Sequence, residues 1–301
     1  MRVLVTGATG FVGGSVCEAL KKASHQVVAL SRDAASARKR VSALDAAHSW
    51  DPLAGPPPGE AFSGIDGVVH LAGESVVGRW TEAKKAAIRD SRVAGSANLV
   101  KGLAQAEPKP RVLVAASAIG YYGDRGDEEL TENSAPGDDF LARTCQEWEA
   151  ASRKAEDLGV RVATLRTGIV LGEGGGALQA MLTPFKLGAG GPLGSGSQWW
   201  SWIHRRDVIG LILFALQNPC QGPINATAPN PLRQKDFAKV LGKVLHRPAF
   251  MPAPAFALRL VLGGFSAELL SSKRVLPRLA REIGYSFQFG ELDPALRDVL
   301  S

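Results

Sequence analysis

A chain of 301 residues, 45% hydrophobic and 21% charged, has the make-up of a globular protein able to bury a sizeable core, as one large domain or as a large and a small one. Thirty-five basic residues against 29 acidic ones leave a net charge of +6, and the charges are mixed along the sequence, so nucleic-acid binding is not indicated and a small anionic ligand fits equally well. Cys17, Cys145 and Cys220 stand at no metal or disulfide spacing, a strand-like run opens the chain, and the longest apolar run, Val208 to Leu216, is too short to cross a bilayer. The expectation is a cytoplasmic protein with no metal, no membrane and no nucleic acid among its partners.

The apolar run Val3 to Val5 predicts a buried strand and Ser15 to Ala23 a helix, with Gly7, Gly10 and Gly13 between them. A strand, a glycine turn and a helix form the front edge of a dinucleotide-binding unit. The first glycine permits the tight turn, the second lets backbone N–H groups approach a pyrophosphate, and the third lets the helix lie close to the strand. The helix N-terminus then offers N–H groups and a positive dipole end to phosphates.

Val27 to Leu30 is the second strand, and it ends in Ser31-Arg32 where an acidic residue would select NAD through the ribose hydroxyl. A guanidinium suits a 2′-phosphate instead, and Arg38, Lys39 and Arg40 follow, so the expected cofactor is NADP(H). Asp33 takes the ribose role if the strand end shifts by two residues. Residues 51 to 60 read as a connector without periodicity. Asp66 to Leu71 is a strand leading into Ala72-Gly73-Glu74, a floor of small residues on which a nucleoside can lie. A helix is expected over 80 to 104, a strand from Arg111 ending near Ser117, an acidic irregular stretch over 124 to 138, a long helix from Phe140 to Leu158, and a strand from Arg161 to Leu165.

Strand and helix alternate, so the fold class is α/β, a Rossmann-type doubly wound parallel sheet whose ligands gather at the carboxyl ends of the strands. After Gly172 the texture changes. Glycine-rich stretches at 174 to 176 and 188 to 197 read as flexible, Trp199, Trp200 and Trp202 cluster beside His204, Asp207 reads as the N-cap of a helix over Val208 to Leu216, and short helices with prolines follow from Leu232. The expected organisation is an NADP-binding domain over 1 to 172, with 202 to 226 returning to it, and a smaller C-terminal substrate or lid domain from 173 to 201 and 227 to 301.

Together these residues resemble the extended short-chain dehydrogenase/reductase superfamily, which includes sugar-nucleotide epimerases and dehydratases. Within it they look most like an atypical NADP-binding, epimerase-like branch, sometimes labelled a cell-division inhibitor. The resemblance rests on Leu71-Ala72-Gly73-Glu74, Arg79-Trp80, Ser91-Arg92, Trp148-Glu149, Arg166 to Gly172 with Gly174 to Gly176, and Trp202-Ile203-His204 before Asp207. It implies NADP(H) contacts from the glycine loop (Gly7, Thr9, Gly10, Phe11, Val12, Gly13), from Ser31 and Arg32, from Leu71, Ala72 and Gly73, and from Arg92 and Val170. It also implies an oxidoreductase or epimerase-like activity on a small molecule, and a homodimer formed through two helices of the sheet.

One departure separates the chain from that superfamily. The Tyr-x-x-x-Lys pair that moves a proton in its members is absent, and its two positions hold either Phe140 and Thr144 or Leu141 and Cys145. The remaining catalytic candidates are Ser117, with Ala118 as the alternative register, and Tyr121 and Tyr122, either as substitute acids or as an aromatic wall. Glu74 either orients a substrate hydroxyl or caps the following helix. His204 and Trp202 are candidates for the substrate side, with core packing as the other reading of each. Two functions remain open: an NADP(H)-dependent enzyme acting on a small carbonyl, hydroxyl or sugar-nucleotide substrate, and a non-catalytic NADP(H) sensor or interaction protein.

Overall fold

The computed structural model describes residues Met1–Ser301. Apolar runs such as Val3-Leu4-Val5 have no polar face to give to water, and they pair as the interior of a parallel sheet covered on both sides. The seven strands are β1 (Arg2–Thr6), β2 (Gln26–Ser31), β3 (Ala46–Ser49), β4 (Gly67–His70), β5 (Val112–Ala118), β6 (Arg161–Thr167) and β7 (Gly222–Ala226). They run parallel in the order β3-β2-β1-β4-β5-β6-β7. The order reverses at β1, which opens a crevice at the carboxyl ends of β1, β2 and β4.

Alternation along each strand divides the core. Val3 and Val5 join α1 (Gly13–Lys22) and α6 (Arg205–Gln217) on one face of the sheet. Leu4 points the other way and joins Leu99 and Leu103 of α3 (Glu82–Gln105), with Phe62 from a 3₁₀ turn. The helix α2 (Ala34–Arg40) follows β2, and α4 (Phe140–Arg153) packs beside α3. A separate apolar core lies beyond the sheet. It gathers Trp200, Trp202 and Phe237 among α5 (Gly176–Lys186), α7 (Gln234–Leu245) and α11 (Leu292–Leu300). Three short helices complete the C-terminal part: α8 (Ala255–Leu262), α9 (Phe265–Leu270) and α10 (Arg278–Glu282).

The structure departs from the sequence-based expectations at several points. The strand β3 was not expected, because Ala-Ala-His-Ser carries no apolar pattern; it forms as an edge strand registered on β2, with Leu30 opposite His48. The glycine-framed stretch after residue 174 contains the helix α5, closed off before Gly188. The helix α4 ends at Arg153 and continues as a 3₁₀ turn over Lys154–Leu158, stopped by Gly159 in the left-handed region at φ 78°.

Asp207 is not the cap of α6. The ring of His204 holds that place, its Nδ1 accepting from the backbone N–H of Arg206 at 3.1 Å. Asp207 lies one turn inside and fully buried, where its carboxylate accepts from the backbone N–H groups of Gln288 (2.7 Å) and Phe289 (3.0 Å) and tethers the C-terminal segment.

The substrate-side reading of His204 and Trp202 is likewise corrected. Burial in the second core engages both: Trp202 is 0% exposed and donates its indole N–H to Asn230 O at 3.1 Å. His204 is stacked on Phe289 at 3.9 Å, with Nε2 3.2 Å from Asp298 Oδ2. Trp202→Ala is expected to lower stability by about 3–5 kcal/mol through the cavity it leaves. Urea unfolding followed by circular dichroism measures this, and a loss below about 1 kcal/mol would remove Trp202 from the core.

Candidate functional site

The site begins where β1 stops. Gly7 turns the chain at φ 69°, and a Cβ there would stand 2.8 Å from the backbone carbon of Leu71, so the loop lies directly against the exit of β4. The N–H of Gly10 donates to Gly7 O at 2.9 Å, and a Cβ on Gly13 would collide with that same carbonyl oxygen. Val12 precedes α1 without a capping side chain, and no acidic residue occupies the first turn, so the positive end of the helix is left for a ligand.

Beneath the loop, the Thr6 hydroxyl receives the N–H groups of Leu71 (3.2 Å) and Ala72 (3.1 Å) and lies 2.7 Å from His70 Nδ1. With two donors already directed at it, the hydroxyl donates its hydrogen bond to Nδ1. His70 is therefore the neutral tautomer protonated at Nε2, which donates to Ser96 Oγ at 3.0 Å. This chain ties β1, β4 and α3 together directly below the loop.

The crevice above is a cleft of about 330 Å³, and it brings together Gly7, Thr9, Gly10, Ser31, Arg32, Leu71, Ala72, Gly73 and Glu74. Asp33 is taken out of contention for a ribose: it is the N-cap of α2, accepting from Ser36 N at 2.8 Å. Of the basic residues that follow, Arg40 folds back onto the glycine loop and donates to Thr9 O at 3.4 Å. Sequence reasoning passed over Trp50, Asp51, Pro52 and Leu53, which also line the cleft because β3 delivers them at its carboxyl end. The signal was the strand itself, which cannot be seen in four residues without an apolar period.

Glu74 is neither a helix cap nor a free carboxylate. Thr81 caps α3, and Glu74 accepts from Lys84 Nζ at 2.6 Å, an interaction that holds its carboxyl below the usual range. Arg92 is built into the wall: it donates to Glu74 O (2.9 Å) and Ile88 O (3.0 Å), lies beside Gly73, and covers the Trp148 ring at 5.1 Å.

Phe11, at the head of α1, is clasped by the glycine-rich segment that follows Val170. A Cβ on Gly172, Gly175 or Gly176 would meet its ring at 3.0, 2.6 or 2.9 Å, and the Arg205 guanidinium lies 5.2 Å from the ring centre. Val170 itself, half-buried, sits in a short strand opposite Ile203.

At the ends of β5 and β6 the catalytic expectations change. Arg166 and Glu149, each 3% exposed, form a two-pronged ion pair, Nε to Oε1 and Nη2 to Oε2, both at 2.9 Å. Ser117 is drawn into it, donating to Glu149 Oε1 at 2.7 Å. Strand alternation puts Ala118 on the opposite face of β5 from Ser117, whose hydroxyl is engaged with Glu149.

Tyr122 belongs to the same cluster. It is 0% exposed, accepts from Arg166 Nη1 at 3.0 Å and donates to Asn225 Oδ1 at 2.6 Å; burial pushes its phenol up to about 12. Tyr121 stays half-buried, with Arg166 over its ring at 3.5 Å. On α4, Leu141 and Cys145 are the side chains that meet Gly120 after β5. Burial, reinforced by Glu149, pushes the Cys145 thiol up to about 12, so it supplies no charge where a lysine would. No three His, Cys, Asp or Glu side chains stand together as a metal site.

Two outcomes test this arrangement. Glu149→Ala strands the Arg166 cation in the interior and is expected to cost about 3–5 kcal/mol in denaturant unfolding; Ser117→Ala, which removes one hydrogen bond, should cost about 1 kcal/mol.

The second concerns His70, whose burial lowers its pKa from 6.5 to about 4. The folded state keeps the ring neutral while the unfolded chain takes a proton near pH 6.5. The stability is therefore intact above that pH and falls as pH drops towards 4, by about 3 kcal/mol for this residue. His204, lowered to about 4 by burial, adds to the same slope. Unfolding free energies measured from pH 7 to 4 should show a shallower fall in His70→Gln than in the parent.

Comparison with known proteins agrees with this geometry. Residues 3–227 match the family model described as the NAD dependent epimerase/dehydratase family, and residues 253–299 match a domain of unknown function, DUF1731. The chain is 40% identical over 310 residues to the chloroplastic epimerase family protein SDR39U1 homolog of Arabidopsis thaliana, covering 100% of this chain and 87% of that one. It is 37% identical over 303 residues to epimerase family protein YfhF of Bacillus subtilis, covering 100% and 98%. The crystal structure of human epimerase family protein SDR39U1 (isoform 2) with NADPH superposes with a TM-score of 0.90 at 36% identity, over 99% of both chains. With that coverage and the same seven-stranded parallel sheet, the chain belongs to the NAD dependent epimerase/dehydratase family.

Proposed function

We propose that this protein binds NADP(H) in the cleft between β1, β2 and β4 and uses it on a small carbonyl, hydroxyl or sugar-nucleotide substrate. The carrying observation is the carboxyl end of β2, where Ser31 and Arg32 line the cleft while Asp33 is committed to capping α2. The fit is supported by the glycine cradle, whose backbone crowding leaves no room for a Cβ at Gly7 or Gly13, and by the uncapped start of α1 above it. The cofactor, when bound, supplies the hydride. Arg32 and Ser31 hold a 2′-phosphate, the loop and helix N–H groups hold a pyrophosphate, and Phe11 with Val170 borders the far end. The reading agrees with the NADPH carried by the human relative.

Of the three hydroxyls expected to move a proton, Tyr121 alone retains a free hydroxyl, and it is assigned that part. The glycine and tryptophan segment and the second core around Trp200, Phe237 and Leu296 support a substrate-binding part over 173 to 201 and 227 to 301, beside the cofactor-binding part over 1 to 172 and 202 to 226. Three buried free thiols suit a reducing, cytoplasmic setting.

A second reading, a non-catalytic NADP(H) sensor, is favoured by one observation: the α4 side chains that face the loop after β5 are Leu141 and Cys145, neither of which moves a proton as Tyr and Lys do.

Calorimetric titration with NADPH and NADH tests the cofactor assignment. Arg32→Ala is expected to weaken NADPH by about 1.5–3 kcal/mol and NADH much less; equal weakening of both would remove Arg32 from the 2′-phosphate. Turnover of a panel of carbonyl and sugar-nucleotide substrates separates the two readings. Loss of turnover in Tyr121→Phe with unchanged NADPH affinity supports the enzyme, and no turnover of any substrate supports the sensor.

A further inference from the structure

The most exposed apolar side chains of the molecule are not scattered. Leu187, Phe250, Phe256, Leu260 and Val261 are each more than 70% exposed, and all come from the segment after α5 and from the approach to α8 and α8 itself. The two segments are joined: Arg247 donates to Lys186 O at 3.2 Å, Met251 N to Gly190 O at 3.1 Å, and Ala253 pairs with Leu193. The helix α8 has no buried residue, although seven of its eight residues are apolar. A helix in a water-soluble fold normally buries such a stripe, so this one is left for another surface.

The charge around the patch is one-sided. Neither 174 to 206 nor 237 to 267 contains a single Asp or Glu, where the average density of the chain would place about six. Lys186, Arg247 and Arg259 rise among the apolar side chains and take part in no ion pair. A second copy docking through the same patch would bring these cations against their own equivalents with no carboxylate to receive them. Aromatic and aliphatic side chains projecting from a short helix, flanked by free cations, match the interfacial region of an anionic bilayer, where the rings enter the headgroup boundary and the cations meet lipid phosphates and carboxylates. No helix of the protein is long and apolar enough to cross a membrane, so the contact is peripheral.

We propose that the face formed by α8 and the segments around Leu187 and Phe250 docks on an anionic lipid surface. The location gives the docking a use. Gly263 and Gly264, at the end of α8, pack against Arg79 and Trp80, in the loop that leaves Glu74 and the cleft. The membrane-facing patch thus adjoins the loop that leaves the mouth of the site.

The test is flotation of the full chain with vesicles of phosphatidylcholine alone and with about 30% phosphatidylserine, at low and high salt. The expected result is binding to the anionic vesicles only, reduced on the order of ten-fold or more by salt, by Phe256→Ser with Leu260→Ser, and by Lys186→Glu with Arg247→Glu. Unchanged NADPH titration of each variant shows that the fold is kept, so a failure of docking is distinguishable from a failure of the cofactor assignment. Three results overturn the proposal: no binding to either vesicle; equal binding by the parent and the serine variant; and a dimer in light scattering that the serine variant dissolves while vesicles are ignored, which would assign the patch to a second copy.

Discussion

The close approach between the first glycine loop and the exit of β4 sets the geometry on which the rest of the molecule depends. Gly7 and Gly13 have no room for a side chain because the loop rests on the backbone of Leu71 and on its own carbonyl. That contact places the start of α1 over the crevice. It also lets one small hydroxyl, Thr6, accept from two N–H groups just past β4 and donate a hydrogen bond to His70. A larger residue at any of these points would lift the loop from β4 and separate the helix end from the wall formed by Ser31 and Arg32. The cleft is therefore a product of backbone proximity more than of side-chain recognition.

The other end of the sheet is governed by a different constraint, the cost of burying charge. Arg166 and Glu149 lie almost out of reach of solvent, and each is tolerable only because the other, together with Ser117, Tyr122 and the Glu132 carbonyl, satisfies its hydrogen-bonding groups. Side chains that look available for proton transfer in the sequence are consumed by this network. Tyr122 and Ser117 each direct a hydroxyl into the cluster. At the ends of β5 and β6 the polar groups are thus paired with one another, while the Tyr121 phenol beside them makes no hydrogen bond.

Much of the architecture was legible in the chain because it follows from local rules. Short apolar runs ending near glycine or a hydroxyl residue marked five of the seven strands, all but β3 and β7, and the glycine spacing after β1 marked the cofactor cradle. The edge strand β3 was not legible: Ala-Ala-His-Ser is extended only because β2 offers it a partner, and with it went Trp50 to Leu53, which close the cleft. The helix α5 was hidden by glycines on both sides, of which those before it pack around Phe11.

The sequence by itself determined the doubly wound parallel sheet, the position of the cradle and the basic end of β2, since each depends on residues adjacent in the chain and on their period. Only the tertiary structure decided which polar groups remain free. His204 became a helix cap, Asp207 a tether for the C-terminal segment, Asp33 the cap of α2, and Ser117 and Tyr122 members of a buried ion-pair network. The physical reason is that a hydrogen-bonding group is spent on whichever partner burial brings within about 3 Å, and those partners lie from two to more than a hundred residues away in the chain.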